Sequence, residues 1–131
     1  MPKIRFDGII PTRATQASAG YDLRSPIDAV IPAGKTLAIG TGTIVQMSSD
    51  IVGMVCSRSG LALRGLTVAN APGIIDADYS DTIRVILYNR TAHDFVVEAG
   101  DRIAQLVFVP VVLGNDIVAE QRIGGLGSTG A

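Results

Sequence analysis

No helical pattern longer than about two turns appears before residue 56, and that most limits what the chain can become. Short runs of Val, Ile and Thr alternate there with turns that carry Gly or Pro, a rhythm that commits the chain to β structure. Fifteen Gly and six Pro in 131 residues supply the punctuation. A chain of this length suits one domain, and its 47% hydrophobic residues furnish a sizeable core. The 18% charged fraction argues against disorder. An all-β fold is expected, with no internal repeat and no domain boundary.

Individual strands can be read in order. Residues 1–10 form a first strand with Ile4, Phe6 and Ile9 facing inward, and residues 11–18 form a polar loop. Residues 27–33 alternate weakly, and residues 32–35 read as a hairpin turn. Two short β patterns follow within 36–47, broken at 40–42. Residues 48–50 turn again, and IVGMVC at 51–56 is a compact buried strand.

Charge and rare residues narrow the chemistry. A net charge of −1 is too balanced for holding long nucleic acid by counterion release, so any polyanion bound is small and met by a few placed Arg. The one cysteine, Cys56, excludes an intramolecular disulfide and a Cys-based zinc site. The one histidine, His93, stands in a polar stretch and reads as a surface loop residue, which leaves Ser-His and Cys-His catalysis unsupported. MPKIRFDGII lacks the apolar region of a signal peptide, and no run of about 18 apolar residues marks a membrane span. No membrane partner is expected, and the expected location is the cytoplasm, or a host's cytoplasm for a viral protein.

The most informative stretch is residues 70–89, NAPGIIDADYSDTIRVILYN. Asn70-Ala71-Pro72-Gly73 is turn chemistry, and residues 82–89 read as a long strand. Between them Asp76 follows Ile74 and Ile75, with Tyr79 three places on. A carboxylate in an apolar setting costs folding energy unless it is paired or used. A tight hairpin here also exposes backbone donors and acceptors able to read the edge of a flat ring. The stretch reads as a small-molecule pocket with one catalytic acid, against the blander view of an ordinary hairpin with a solvated Asp.

Other segments carry weaker signals. In AGYDL at 19–23, Asp22 is either a turn-capping carboxylate or an acid pointed at a cation or its waters. Ser57-Arg58-Ser59-Gly60 precedes Leu61-Ala62-Leu63, where a short helix starts, and free N–H groups beside an Arg suit phosphate oxygens. After a turn at 98–101, residues 102–109 form a strongly apolar strand with Arg102 and Gln105 as polar exceptions. Arg102 pairs with Asp101 or a nearby acid in the simplest view, and Gln105 needs partners if buried. The tail from Arg122 through Leu126, Gly127 and Ser128 is Gly-rich: either a frayed end or a lid over a polyphosphate.

Five short stretches, taken together, resemble the motifs of the trimeric dUTP pyrophosphatases, the dUTPases: AGYDL at 19–23, RSGLA at 58–62, GIIDADY at 73–79, GDRIAQL at 100–106 and the Gly-Ser-Thr-Gly ending within 125–130. They occur in the family's order and span nearly the whole chain. The resemblance implies a jelly-roll-type β-barrel forming a homotrimer, with active sites at subunit interfaces. Residues 1–121 would be the barrel and 122–131 its lid. It implies hydrolysis of dUTP to dUMP and pyrophosphate, which limits uracil in DNA and supplies dUMP for dTMP synthesis. It also assigns roles. The backbone of Gly73, Ile74 and Ile75 reads uracil with Asn70 as side-chain partner, Tyr79 excludes a 2′-hydroxyl, and Asp76 deprotonates the attacking water. Arg58, Ser59, Gly60 and Gln105 hold phosphates from a neighbouring subunit, Arg84 contacts the nucleotide, and Asp22 meets Mg²⁺ through water. Arg122, Leu126, Gly127 and Ser128 close from the third.

The chain departs from the family pattern in places. Ser57 replaces a Pro, which implies a less rigid loop, and Ser80-Asp81-Thr82 replaces a basic-Gly-acidic turn. The last motif is one residue shorter, and Leu126 stands where an aromatic stacks on uracil. The competing readings are a dCTP deaminase of the same fold, a nucleotide-binding regulatory protein acting through a protein partner, and a purely structural jelly roll. The intact 76–79 stretch disfavours the first, and the Arg, Gln and Asp placements disfavour the last.

Overall fold

The computed structural model describes residues 3–116 and 118. Among them the chain is all-β apart from one five-residue helix and a 3-10 turn at Gly114–Asp116. The strands are β1 (Ile4–Gly8), β2 (Gly20–Arg24), β3 (Ala29–Ile31), β4 (Thr36–Gly40), β5 (Thr43–Met47) and β6 (Ile51–Cys56). Helix α1 (Ser59–Leu63) precedes β7 (Leu66–Val68), β8 (Gly73–Ile75), β9 (Arg84–Asn89), β10 (Phe95–Val97) and β11 (Arg102–Pro110). The breaks expected at 32–35, 40–42, 48–50 and 98–101 each separate two strands.

Strands adjacent in sequence do not pair. The sheets run β2-β11-β6-β8, β4-β9-β7, β1-β5 and β10-β3, all antiparallel. The chain therefore crosses the core at successive turns, which is the winding of a jelly roll.

Two expected hairpins are corrected by this topology. The turn at 32–35 forms, with the Lys35 N–H donating to the Pro32 carbonyl at 3.0 Å, yet β3 joins β10 and β4 joins β9. Likewise β8 and β9 lie in different sheets, so residues 70–89 are not a hairpin. Burial explains the second case. Ile83 is fully buried, and its backbone bonds both Thr41 (2.9 Å) and Thr43 (2.8 Å), which draws the chain across to β9. Thr41 Oγ1 adds a 2.7 Å bond to the Ile83 carbonyl.

The core follows the period-two alternation expected of strands. Val85 and Leu87 of β9 face in with Asn89, and Ile39 of β4 lies in register with Val85. Tyr21 packs edge-on against both Phe6 and Phe108, which are tilted to each other, with ring centroids 5.1–5.9 Å apart, joining β1, β2 and β11. Ile9 does not face inward. The left-handed Gly8 (φ 72°) ends β1 and leaves Ile9 52% exposed.

Asn89 is a fully buried amide with every bonding position used. Its Nδ2 donates to the carbonyls of Ile31 (2.9 Å) and His93 (2.7 Å), and its Oδ1 accepts from the Thr91 N–H (3.0 Å) and hydroxyl (2.8 Å). It ties β9 to β3 and to the turn that carries His93, which is exposed. Cys56 is a free thiol. No helix among the described residues is long and apolar enough to cross a membrane.

Candidate active site

One end of the four-stranded sheet builds a cleft of about 370 Å³. On β2, Asp22 lies opposite Gln105 of β11, and Gln105 lies opposite Cys56 at the end of β6. Just beyond that end stand Ser57 and Arg58. Arg58 keeps extended backbone (φ −91°, ψ 132°) as the N-cap of α1, and Ser59 and Gly60 follow. Asp22, Arg58, Ser59, Gly60 and Gln105, drawn from three distant parts of the sequence, thus line one cleft.

The cleft also holds a residue the sequence reading assigned elsewhere. Arg102 lines it, and the expected pairing with Asp101 or another acid is absent. The ion pairs among described residues are Lys3–Asp50 and Arg5–Asp7. Asp101 Oδ2 accepts the Glu98 N–H instead, closing the turn before β11. Arg102 and Gln105 are three positions apart, so a regular strand would point them to opposite faces. The register of β11 on β2 shifts between Arg102 and Ala104, and Ile103 and Ala104 are both buried. This bulge puts both polar side chains on the cleft. Two polar residues at odd spacing in an apolar strand are the signal that marks it.

Gln105 finds the partner it needs, since its Nε2 donates to the Ser57 carbonyl at 3.0 Å. Gly20 permits this placement: a Cβ there would sit 2.3 Å from Gln105 Oε1 and 2.9 Å from Gln105 Cβ. Arg58 Nη1 reaches the Arg102 carbonyl at 3.3 Å. Ser57 does not leave its loop untethered, because its Oγ accepts the Val68 N–H at 2.9 Å. Asp22 is half-buried and makes no ion pair with a described residue.

The remaining candidates form a second group. β8 is the edge strand of its sheet, so one row of its backbone groups has no ladder partner. The exposed backbone expected of a hairpin is supplied by an edge strand instead. Asn70 lies against Gly73, where a Cβ would sit 3.2 Å from Asn70 Nδ2. Ile74 is 55% exposed and Ile75 half-buried, and the exposed Asp76 follows directly. Tyr79 is fixed twice: its N–H donates to the Asp76 carbonyl (3.0 Å) and its phenol to the Thr82 carbonyl (2.7 Å). Asp81 Oδ1 accepts the Thr82 N–H at 2.7 Å, which is the local pairing of the altered turn. Arg84 opens β9 opposite Gly40 and is exposed.

Asp76 does not reach the cleft. β8 runs antiparallel to β6 with Ile75 opposite Gly53, so Asp76 emerges level with Val52. Arg58 lies past the other end of β6, roughly 15–20 Å away at the rise of a strand. The cationic cleft and the Asp76–Tyr79 segment occupy opposite ends of one sheet. Arg122, Leu126, Gly127 and Ser128 lie outside the described residues.

Comparison with known proteins agrees with the five stretches. The dUTPase family model matches residues 7–129. A deoxyuridine 5'-triphosphate nucleotidohydrolase of Pasteurella multocida is 43% identical over 131 residues, covering 92% of this chain and 87% of that protein. The protein of that name from Paramecium bursaria Chlorella virus 1 is 40% identical over 128 residues, covering 92% and 89%. Among solved structures, the dUTPase of Streptococcus mutans superimposes with a TM-score of 0.78 at 32% identity, covering 82% of this chain and 96% of that one. With most of its length matched by the family model and two-fifths of its residues shared with such relatives, the chain belongs to the dUTPase family.

Proposed function

We propose that this protein hydrolyses dUTP to dUMP and pyrophosphate as a homotrimer whose sites form between subunits. Family membership supports the reaction. The observation that carries the assembly is the separation of the two residue groups at opposite ends of one sheet. A single nucleotide meets both only if they come from different copies. A heterologous contact repeated around a closed ring does this at every interface.

In this reading the free edge of β8 at Gly73, Ile74 and Ile75 offers donors and acceptors to the uracil edge, with Asn70 beside it. Rejection of cytosine follows, because the wrong base leaves fixed polar groups unpaired. The ring of Tyr79, held at both ends, packs under the sugar and leaves no room for a 2′-hydroxyl. From a second subunit, Arg58, Arg102 and Gln105 neutralise and orient the phosphates with the hydroxyl of Ser59 and the backbone of Gly60. Arg84 contacts the nucleotide from β9. Asp76 takes a proton from the water that attacks the α-phosphorus. The bond from that phosphorus to the bridging oxygen breaks, and pyrophosphate leaves. Positioning and charge neutralisation carry most of the acceleration in such transfers.

The residues fit a Mg²⁺ that arrives with the triphosphate. Asp22 is a single half-buried carboxylate in the cleft, and the described residues contain no cluster of three or more metal-ligating side chains. One carboxylate suits a hydrated ion held through its waters, where bound Mg²⁺ supplies charge to the phosphate oxygens. Residues 122–131, with Arg122, Leu126, Gly127 and Ser128, are assigned as the lid from the third subunit, and residues 1–121 as the barrel.

Incubation with Mg²⁺ and each deoxynucleoside triphosphate tests the reading. Pyrophosphate from dUTP, little from dCTP, dTTP or UTP, and no ammonia from dCTP are the expected results. Equal turnover of UTP and dUTP would refute the role given to Tyr79, and ammonia release would make the protein a deaminase.

A further inference from the structure

We infer that Ser57 is a positioning residue that fixes which face Gln105 presents to the phosphates, an inference that rests on the dUTP-hydrolysing reading above. Four observations meet at this residue. The Ser57 hydroxyl accepts the Val68 N–H at 2.9 Å, anchoring residue 57 to β7. The Ser57 carbonyl accepts from Gln105 Nε2 at 3.0 Å. On its other side the Gln105 amide is walled by Gly20, whose absent Cβ would lie 2.3 Å from Oε1. Gln105 itself lines the cationic cleft.

A glutamine amide has one donor end and one acceptor end of nearly the same shape. Turned one way it offers N–H groups to an anion, and turned the other way it offers a carbonyl oxygen that repels one. A backbone carbonyl can only accept, so the atom facing Ser57 is Nε2. One of the two Nε2 hydrogens is used there, Oε1 is turned toward Gly20, and the second hydrogen remains for a phosphate oxygen. The orientation holds only while the Ser57 carbonyl keeps its direction. That carbonyl belongs to a residue between the end of β6 and the start of α1, where no strand or helix ladder fixes it. The hydroxyl bond to Val68 does so instead. Ser57 touches no substrate atom in this scheme and acts through Gln105.

The test is a double-mutant cycle with a ligand comparison. Ser57→Ala is expected to raise KM for dUTP about tenfold with kcat within about twofold, the loss that follows when one hydrogen bond to a charged ligand is misdirected. Ser57→Thr, which keeps the hydroxyl, should restore KM. Binding of a non-hydrolysable imido analogue of dUTP should weaken by the same factor while binding of deoxyuridine is unchanged. A general loosening of the fold would weaken both. In a Gln105→Ala background, Ser57→Ala should add nothing, because the group it orients is gone. If the alanine variant does not fold, Ser57→Cys keeps the volume with a weak acceptor and enters the same cycle. Additive effects of the two substitutions, or equal weakening of deoxyuridine, would overturn the inference. If the unmodified protein neither hydrolyses dUTP nor binds the analogue, the substrate reading itself fails, a result distinct from additivity in an active enzyme.

Discussion

Two inactive variants should make an active enzyme when they assemble together. Asp76→Asn removes the proposed base and is expected to lower kcat by about 10²- to 10⁴-fold. Arg58→Ala removes a guanidinium from the cleft at the other end of the sheet and should be comparably impaired. Asp76 emerges level with Val52 while Arg58 lies past Cys56, so in the proposed trimer the two reach one nucleotide from different copies. Consider a site that takes Asp76 from one copy and Arg58 from the next. It is intact when the first copy is the Arg58→Ala variant and the second the Asp76→Asn variant. With equal co-expression and random assembly that occurs at about a quarter of all interfaces, and at about one in three in every mixed trimer, so purified mixed trimers should recover about a third of the unmodified activity. Co-expression under two affinity tags, sequential purification of mixed oligomers and pyrophosphate release measure it. Mixed oligomers no more active than either parent would refute the interfacial site, and a fully active monomer would do the same by light scattering.

Three further outcomes rest on particular contacts. Gly20→Ala puts a Cβ 2.9 Å from Gln105 Cβ, which a side-chain rotation cannot relieve; it should cost about 1–3 kcal/mol in stability and raise KM for dUTP, measured by urea unfolding and steady-state kinetics. Asn89→Ala deprives the Ile31 carbonyl and the Thr91 N–H of their partner, while the Thr91 hydroxyl and the His93 carbonyl keep their 2.9 Å bond to each other; it should cost about 3 kcal/mol, and a loss under about 1 kcal/mol would show that the cluster finds other partners. The Ser48 hydroxyl, and after it Lys3, hold the Asp50 carboxyl below its ordinary 3.8. A lowered folded value means that the tether between Lys3 and Asp50 contributes at pH above that range and fades as pH falls through the folded value; an NMR titration placing Asp50 at or above 3.8 would contradict it.

How much was legible without coordinates divides along one physical line. Strands and turns were readable because they depend on neighbours in sequence. Gly and Pro set local backbone angles, and Val and Ile favour a pleated surface, so β4, β5, β6 and β11 fall where the patterns place them. Chemical identity was readable for the same reason, since AGYDL, RSGLA, GIIDADY and GDRIAQL are local strings. Pairing was not. Every strand offers the same N–H and C=O groups, so the partner is chosen by which apolar faces close over one another. Ile83, buried against the loop at 41–43, takes the chain out of the hairpin expected at 70–89. The alternation that gives β11 its faces does not reveal that its register shifts after Arg102, which puts that residue beside Gln105 in the cleft. Nor does the sequence tell that Ser57, which looked like a loosened loop, is bonded to β7 and to Gln105. The sequence by itself determined the residue types of the site and the strands that carry them. Only the tertiary structure decided that they sit in two groups at opposite ends of one sheet, because that separation follows from the antiparallel register of β8 on β6.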